Sequence, residues 1–375
     1  MGAIQCASSS CRPVKPDCYP SCRGSGGTSV LWKATVPKIE FGLFLEFPTG
    51  DGARLDEQIS RYIPIIDLAE SLGFRSVWAG ESYPQAQGAI QHISSPFLVL
   101  AHLAPLTSMT LGTAVSLAPV WDPLRLAYDT SVLDQLCGGR LVLGLGLGNP
   151  GIWKRFGVER ESVGQRTDET ILALRALWAG EDGYEGKFVK ASGSIAPRPI
   201  QSGGPPILIG GKISRSARRA AALGDGFVGG THFTDDQLRV LIEQYHDALR
   251  AENKAWQGST VSVNRIVILA DDPDEAWADA APYLLKLFRV YAKIGLISKA
   301  DALFGPQVEA LEALKDLVRG ICLVGSPETV TSTLSSYASY GVTQLQLRPA
   351  PGFMPTELIE RTVRLAGEKL VPTFN

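Results

Sequence analysis

The sequence predicts an α/β fold, a (β/α)8 TIM barrel with a helical insertion before the last strand. Three observations lead there. Eight strand-like runs alternate with amphipathic stretches from Lys38 onward, and such alternation forces parallel pairing because each crossover needs a helix. No run is followed by the G-x-G-x-x-G turn of an open dinucleotide-binding sheet. The 375 residues fall within the roughly 250 to over 400 that barrels with insertions occupy.

"KIEFGLFLEF" opens the series as a strand near residues 39–45. "LDEQISRYIPIIDLAESLGF" follows as a helix. Ile59, Tyr62, Ile63, Ile66, Leu68 and Ala69 make its apolar face, and Gly73 stands just past its end. "FRSVWAG" is the second strand, near 75–80, and "SPFLVLAHLAPL" a short buried helix. "MTLGTAVSLAP" is the third strand, near 109–117. Asp122 and Pro123 then take the cap and first-turn positions of the helix "DPLRLAYDTSVLDQL". The fourth strand, near 141–147, holds Gly144 and Gly146 inside it, and Asn149-Pro150 interrupts a helix start. Those glycines therefore read as points of close backbone approach. "ESVGQRTDETILALRALWAG" is a long helix. Strands near 206–210, 226–229, 261–269 and 343–348 continue the alternation. Residues 272 to about 320 are helical in pattern throughout and form the insertion; a closing helix follows Pro355.

Composition narrows the function. Net charge is −2 with acids and bases mixed along the chain, so there is no basic stripe for nucleic acid. No apolar run reaches the roughly 20 residues that span a bilayer. Cys6, Cys11, Cys18 and Cys22 crowd a start rich in Ser, Pro and Gly. Their spacing lacks the C-x2-C pair of a zinc knuckle, so residues 1–37 read as a disordered Cys-rich leader. No h-region of a secretory signal is present. The expectation is a cytoplasmic protein that acts on a small molecule, with no nucleic acid, membrane or metal involved.

In a closed parallel barrel the chemistry sits at the carboxyl ends of the strands. Those ends offer Phe44, Glu46 and Phe47; Gly80, Glu81, Ser82 and Tyr83; Ala114, Val115, Ser116 and Leu117; Leu147, Gly148 and Asn149; Gly210, Gly211 and Lys212; Gly230, Thr231 and His232; and Arg348. The rim is apolar and glycine-rich. Of the four histidines, His102 and His246 fall on helical patterns and read as structural. Converging metal ligands and a G-x-S-x-G elbow are both missing. A rim with so little acid–base machinery suits a cofactor that brings the chemistry with it. "PPILIGGKISRSARRAAALGDG" runs strand, glycine pair, helix. The N–H groups of Lys212, Ile213 and Ser214, the hydroxyls of Ser214 and Ser216 and the Lys212 charge suit an anion there. An ordinary strand-to-helix turn with Ser214 as N-cap fits the same residues.

The landmarks "GFRSVWAGESY", "LGTAVSLAPVWDPLRLAYDTSVLDQLCGGRLVLGLGLG", "PRPIQSGGPPILIGG" and "LVGSPETVTSTLSSYASYGVTQLQL" carry a family resemblance. From Lys38 to about Phe374 the chain resembles the bacterial-luciferase-like flavin monooxygenases and the related deazaflavin-dependent oxidoreductases. The resemblance implies reduced FMN, or the deazaflavin coenzyme F420, at the carboxyl face. It implies that the phosphate lies by Gly211, Lys212, Ile213 and Ser216, and that a cis peptide at Ala114–Val115 presses on the central ring. It also implies a homodimer packed through barrel helices.

The chain departs from that family in three places. The usual acid-His corner reads Glu81-Ser82-Tyr83, an arginine position is Leu147, and a catalytic-acid position is Asn149. Ser82 cannot carry protons near neutral pH as imidazole does, and Tyr83 is a poor base. His92 and His232 stand as substitutes for the lost imidazole, or as ordinary loop histidines. Glu81 reads either as a holder of a ring or substrate group, or as a solvated strand-end carboxylate. The catalytic candidates are Glu81, Tyr83 and Asn149. The cofactor-binding candidates are Ala114, Val115, Leu147, Gly211, Lys212, Ile213, Ser214 and Ser216. The expected activity is monooxygenation of an organic substrate with reduced FMN supplied by a flavin reductase. Hydride transfer with coenzyme F420 is the alternative, and a flavin-binding barrel without activity the third reading.

Overall fold

The computed structural model describes residues 38–47, 54–83, 95–293, 297, 301–352 and 354–375. The leader with its four cysteines, and His92, lie outside the described residues.

Eight parallel strands among the described residues close into a ring. They are β1 (Glu40–Leu45), β2 (Ser76–Ala79), β3 (Thr110–Thr113), β4 (Leu141–Gly146), β5 (Ile207–Gly210), β6 (Gly226–Gly229), β7 (Thr260–Leu269) and β8 (Gln344–Arg348). Closure comes from β8 pairing with β1, in register from Glu40 with Gln344 to Leu43 with Leu347. The fold is the TIM barrel that strand–helix alternation predicts, with every strand but the third within one or two residues of its expected bounds.

The helices outside the ring are α1 (Leu55–Ser71), α2 (Pro96–Leu103), α3 (Pro123–Leu136), α4 (Val163–Ala179), α5 (Ser214–Leu223), α6 (Asp235–Ala251), α7 (Pro327–Ser339) and α8 (Thr356–Leu365). Local chemistry sets their starts. The Asp122 carboxylate accepts the Arg125 N–H at 2.9 Å, with Pro123 next in line. Thr234 and Gln237 close a reciprocal capping box on α6. Ser326 caps α7. The insertion is present as a helix over Pro273–Lys293, a 3₁₀ turn over Asp301–Phe304 and a helix over Gln307–Val318.

Alternation along each strand divides the core into two shells. Outward residues such as Phe41, Leu43, Val261, Val263, Leu345 and Leu347 are fully buried against helix residues including Ile66, Leu126, Leu174 and Val363. The inner shell is unlike the aliphatic filling usual for this fold. Trp78, Leu208 and Val228 form it, with Phe44, Ala114, Val115 and Val142 packed on them. The Trp78 indole N–H donates to Ser76 Oγ at 2.7 Å. Gly112 makes room for this indole, since a β-carbon there would lie 2.3 Å from the ring. Gln346 bridges Ser262 and Asn264, donating to the first at 2.9 Å and accepting from the second at 3.2 Å.

The third strand is shorter than expected, and it ends at the cis Ala114–Val115 peptide that the family resemblance implied. It resumes as Ser116–Leu117, paired with Leu145 and Gly146 of β4. The two glycines of β4 permit this. A β-carbon on Gly144 would sit 2.0 Å from the Thr113 carbonyl oxygen, and one on Gly146 would sit 2.5 Å from Val115 Cγ2. Close backbone approach, the reading of these glycines in the sequence, is what they provide.

Three elements were not foreseen: a helix over Pro150–Arg155, a hairpin of Gly183–Glu185 with Lys190–Ser192, and a strand Leu323–Gly325 pairing the end of β7. Each is too short to show a period. The hairpin is held from outside, because Glu169 Oε2 accepts the N–H groups of Phe188 at 2.6 Å and Val189 at 2.9 Å.

Candidate active site

Register places the first group of residues. Leu45 is level with Ala79, and Ala79 with Thr113. One step further toward the carboxyl ends, Glu46, Gly80 and Ala114 therefore share a tier at the mouth. Gly80 keeps that tier open, since a β-carbon on it would meet the Ala114 carbonyl oxygen at 3.1 Å and Phe44 Cζ at 3.2 Å. The Ala114–Val115 turn lies beside Phe44 and Trp78 in the inner shell.

Glu81 is neither solvated nor idle. It is 7% exposed. Among the described residues its Oε2 accepts the Leu117 N–H and the Trp121 indole N–H, both at 2.9 Å, and its Oε1 accepts the Tyr83 hydroxyl at 2.6 Å. Its own N–H donates to the Val115 carbonyl at 3.1 Å. Burial pushes the carboxyl above its usual range, against the pull of those donors. The solvated-carboxylate reading is thus corrected: Glu81 ties β2 to the restart of β3. Tyr83 donates to it and packs edge-on against Phe156 at 4.9 Å. Burial first, and the Glu81 carboxylate second, push the phenol up, which removes it further from work as a base.

Asn149 has a local task. Its side-chain oxygen accepts the N–H groups of Gly151 at 3.0 Å and Ile152 at 3.3 Å, capping the helix Pro150–Arg155. Leu147 is half-buried, and its carbonyl accepts the Trp153 indole N–H at 2.5 Å. That short helix lays Trp153 and Phe156 beside the β2–β4 part of the rim.

On the far side of the ring, the turn after β5 brings Gly211, Lys212, Ile213, Ser214 and Ser216 together. Ile213, and not Ser214, occupies the N-cap position, with no side-chain cap bond. Ser216 is buried with its hydroxyl turned back onto Gly211, where a β-carbon would fall 1.9 Å from Oγ. Lys212 and Ile213 are exposed beside it. The arrangement is a glycine cradle, a buried hydroxyl, open helix-start N–H groups and one cation, the donor set that a phosphate dianion requires.

His232 follows β6, across the ring from β2, so it does not stand where the corner lacks its imidazole. Burial, then the charges of Lys212 and Arg265, push its pKa down to about 4. Its Nε2 is buried and accepts no hydrogen bond among the described residues. It lines a groove of 790 Å³ that continues from Lys212 and Ser214 toward Gln237 and Gln244. His102 and His246 lie on α2 and α6, and His246 packs on Trp256 at 4.5 Å.

Two strand-end residues meet in a way that sequence reading missed. Glu46 and Arg348 form a buried ion pair inside the mouth. The guanidinium lies 5.9 Å over the Phe44 ring and donates through Nη1 to the Tyr291 hydroxyl at 2.9 Å. Tyr291 belongs to the insertion helix, so the insertion reaches the site through it. Among the described residues no group of His, Cys, Asp and Glu could hold a metal ion, and no helix is long and apolar enough to cross a membrane.

Comparison with known proteins bears on this geometry. The family model for the luciferase-like monooxygenases matches residues 39–344. The oxygenase component of the flavin-dependent trigonelline monooxygenase of Acinetobacter baylyi is 28% identical over 217 residues, 56% of this chain and 59% of that protein. The match therefore spans less than two thirds of that relative's length. The crystal structure of monooxygenase RslO1 from Streptomyces bottropensis superposes with a TM-score of 0.76 at 27% identity, covering 90% of this chain and 100% of that one. The coenzyme F420 dependent tetrahydromethanopterin reductase from Methanopyrus kandleri shares the fold, with a TM-score of 0.71 at 19% identity over 90% of this chain and 100% of that one.

Proposed function

We propose, from the premise that this chain belongs to the luciferase-like monooxygenase family, that it is the oxygenase of a two-component flavin system. It takes reduced FMN from a separate flavin reductase and inserts one atom of O2 into a small organic substrate. The observation that carries this reading is the donor set after β5. Gly211 leaves room for the Ser216 hydroxyl, the start of α5 offers N–H groups, and Lys212 adds charge. That set suits the terminal phosphate of FMN.

Bound reduced flavin supplies the electrons that activate oxygen. The chain's own residues bind, orient and shield. Gly211, Lys212, Ile213, Ser214 and Ser216 hold the phosphate. Ala114 and Val115 offer an apolar face at the mouth. Glu81 holds that face in place through Leu117 and Trp121, a positioning role and not proton transfer. Tyr83, Phe156 and Trp153 wall the corner against water, which a reactive reduced cofactor requires.

Two cofactors are compared in the test. The protein is mixed without oxygen with reduced FMN or reduced coenzyme F420, then given 18O2 and a panel of aromatic and aliphatic substrates. Product heavier by one labelled oxygen with FMN supports the reading. Uptake of F420 alone, with unlabelled reduced product, replaces it with hydride transfer. Tight uptake of FMN with no product replaces it with a binding barrel.

We also propose that the working unit is a homodimer joined through α2 and α3. Leu98, Val132 and Leu136 are 72%, 42% and 60% exposed. They flank a groove of 640 Å³ that reaches Phe97 and Trp121. Trp121 is the Glu81 partner, so a second copy seated there would brace the corner of the site.

A further inference from the structure

The Glu46–Arg348 pair is unexplained by cofactor binding at β5. It lies on β1 and β8, and β1 is diametrically opposite β5 in the ring. Taking two charges out of water is unfavourable, and an apolar pair of similar volume would close the seam between β1 and β8 equally well. Glu46 is 2% and Arg348 3% exposed. Glu46 Oε1 meets Arg348 Nε. Glu46 Oε2 is buried, and no hydrogen bond reaches it among the described residues. A carboxylate has room for several donors, and a buried acceptor left without one asks for a donor from elsewhere. Glu46 shares its tier with Gly80 and Ala114, so that oxygen stands at the level of the mouth. Phe44 lies below, and Arg348 is fixed from the side by Tyr291.

We propose that Glu46 is a substrate-recognition residue: its unpartnered carboxylate oxygen takes a hydrogen bond from a hydroxyl or N–H group on an otherwise apolar, ring-bearing substrate. Arg348 and Tyr291 are positioning residues that hold the carboxylate to this task. The inference rests on the reading of the mouth as a cofactor and substrate site, and it names the substrate class of that site. Such a substrate stacks against apolar walls and is oriented by one polar contact. A compound of equal shape without the donor leaves the carboxylate unmet and binds more weakly.

The test uses purified protein loaded with reduced FMN without oxygen, titrated with 2-naphthol and with 2-methoxynaphthalene. The two present nearly the same ring surface and differ in the donor. Wild type is expected to bind 2-naphthol about ten-fold or more tightly, the usual discrimination of a hydrogen bond to a charged group. The double variant Glu46→Leu, Arg348→Met is expected to bind both probes within two-fold of each other and to keep its FMN affinity. If it does not fold, Glu46→Gln is read in the same way, with a reduced preference expected. Equal probe affinities in loaded wild type, or an undiminished preference in the variant, overturn the inference alone. A variant that loses FMN affinity also overturns it, because Glu46 would then serve the cofactor. Wild type that takes up no cofactor overturns the functional reading on which the inference rests.

Discussion

A β-carbon on Gly211 would lie 1.9 Å from the Ser216 hydroxyl oxygen, so the turn after β5 keeps its shape only with glycine at that position. Gly211→Ala forces the turn away from Ser216, whose own Cβ would be 2.3 Å distant. The expected result is a loss of reduced-FMN affinity of about ten-fold or more, the equivalent of one charged hydrogen bond. A fluorescence titration measures it, and unchanged affinity would separate this turn from the phosphate.

Glu81→Gln replaces one of two accepting oxygens with a donor. The Leu117 and Trp121 N–H groups share one oxygen and the Tyr83 hydroxyl uses the other. The Tyr83 hydroxyl can turn to accept from the new amide, but the Leu117 and Trp121 N–H groups then meet a neutral oxygen in place of a charged one. Stability is expected to fall by about 1–2 kcal/mol, the difference between buried hydrogen bonds to a charged and to a neutral acceptor. Urea denaturation reads this loss.

Asp134 is fully buried and accepts the N–H groups of Ile200 at 2.8 Å and Gln201 at 3.1 Å, as well as the Gln201 side-chain amide at 2.7 Å. It fixes the chain that leads into β5. Asp134→Ala is expected to cost about 2–4 kcal/mol, since several buried donors lose their acceptor together. Reduced-FMN affinity, measured where the variant remains folded, should change by less than three-fold.

His232 gives a pH signature. Its folded pKa, pushed down to about 4, lies below the ordinary value of 6.5. The unfolded chain therefore binds the proton more readily between these values, and stability rises with pH across that window. Its contribution is complete above about 6.5 and is lost as pH falls through about 4, with a slope of at most about 1.4 kcal/mol per pH unit. His232→Gln should flatten that part of the stability–pH curve. Thermal midpoints from pH 4 to 7 that run parallel in both proteins would contradict it.

Leu136→Glu sets a charge on the apolar face between α2 and α3. Sedimentation velocity should show a dimer for wild type and a monomer for the variant. Identical sedimentation of both proteins would place any self-association elsewhere.

Much of the barrel was legible because its strands are short buried runs separated by periodic helices, a pattern that survives in one dimension. The break in the third strand was legible only through the family resemblance, which implied a cis peptide at Ala114–Val115, since residues 109–117 themselves read as one continuous strand. The hairpin at 183–192 and the helix at 150–155 carry too few residues for a period to emerge. At the site, the β5 turn was recognisable from its glycine pair and hydroxyls. Glu46 and Arg348 were each visible as strand-end residues, but their union depends on β1 meeting β8, which only closure of the ring brings about. Trp121 as a partner of Glu81 had no signal, because the contact forms across the break at Ala114–Val115, forty residues on in the chain.

Recognition of a phosphate at Gly211–Ser216 is tested most directly by comparing reduced FMN with reduced riboflavin. The two share the ring system, and riboflavin lacks the phosphate. Titrations without oxygen should show reduced FMN binding about a hundred-fold or more tightly, as expected when several charged hydrogen bonds are removed together. Equal affinity for the two, or binding of neither, would contradict it.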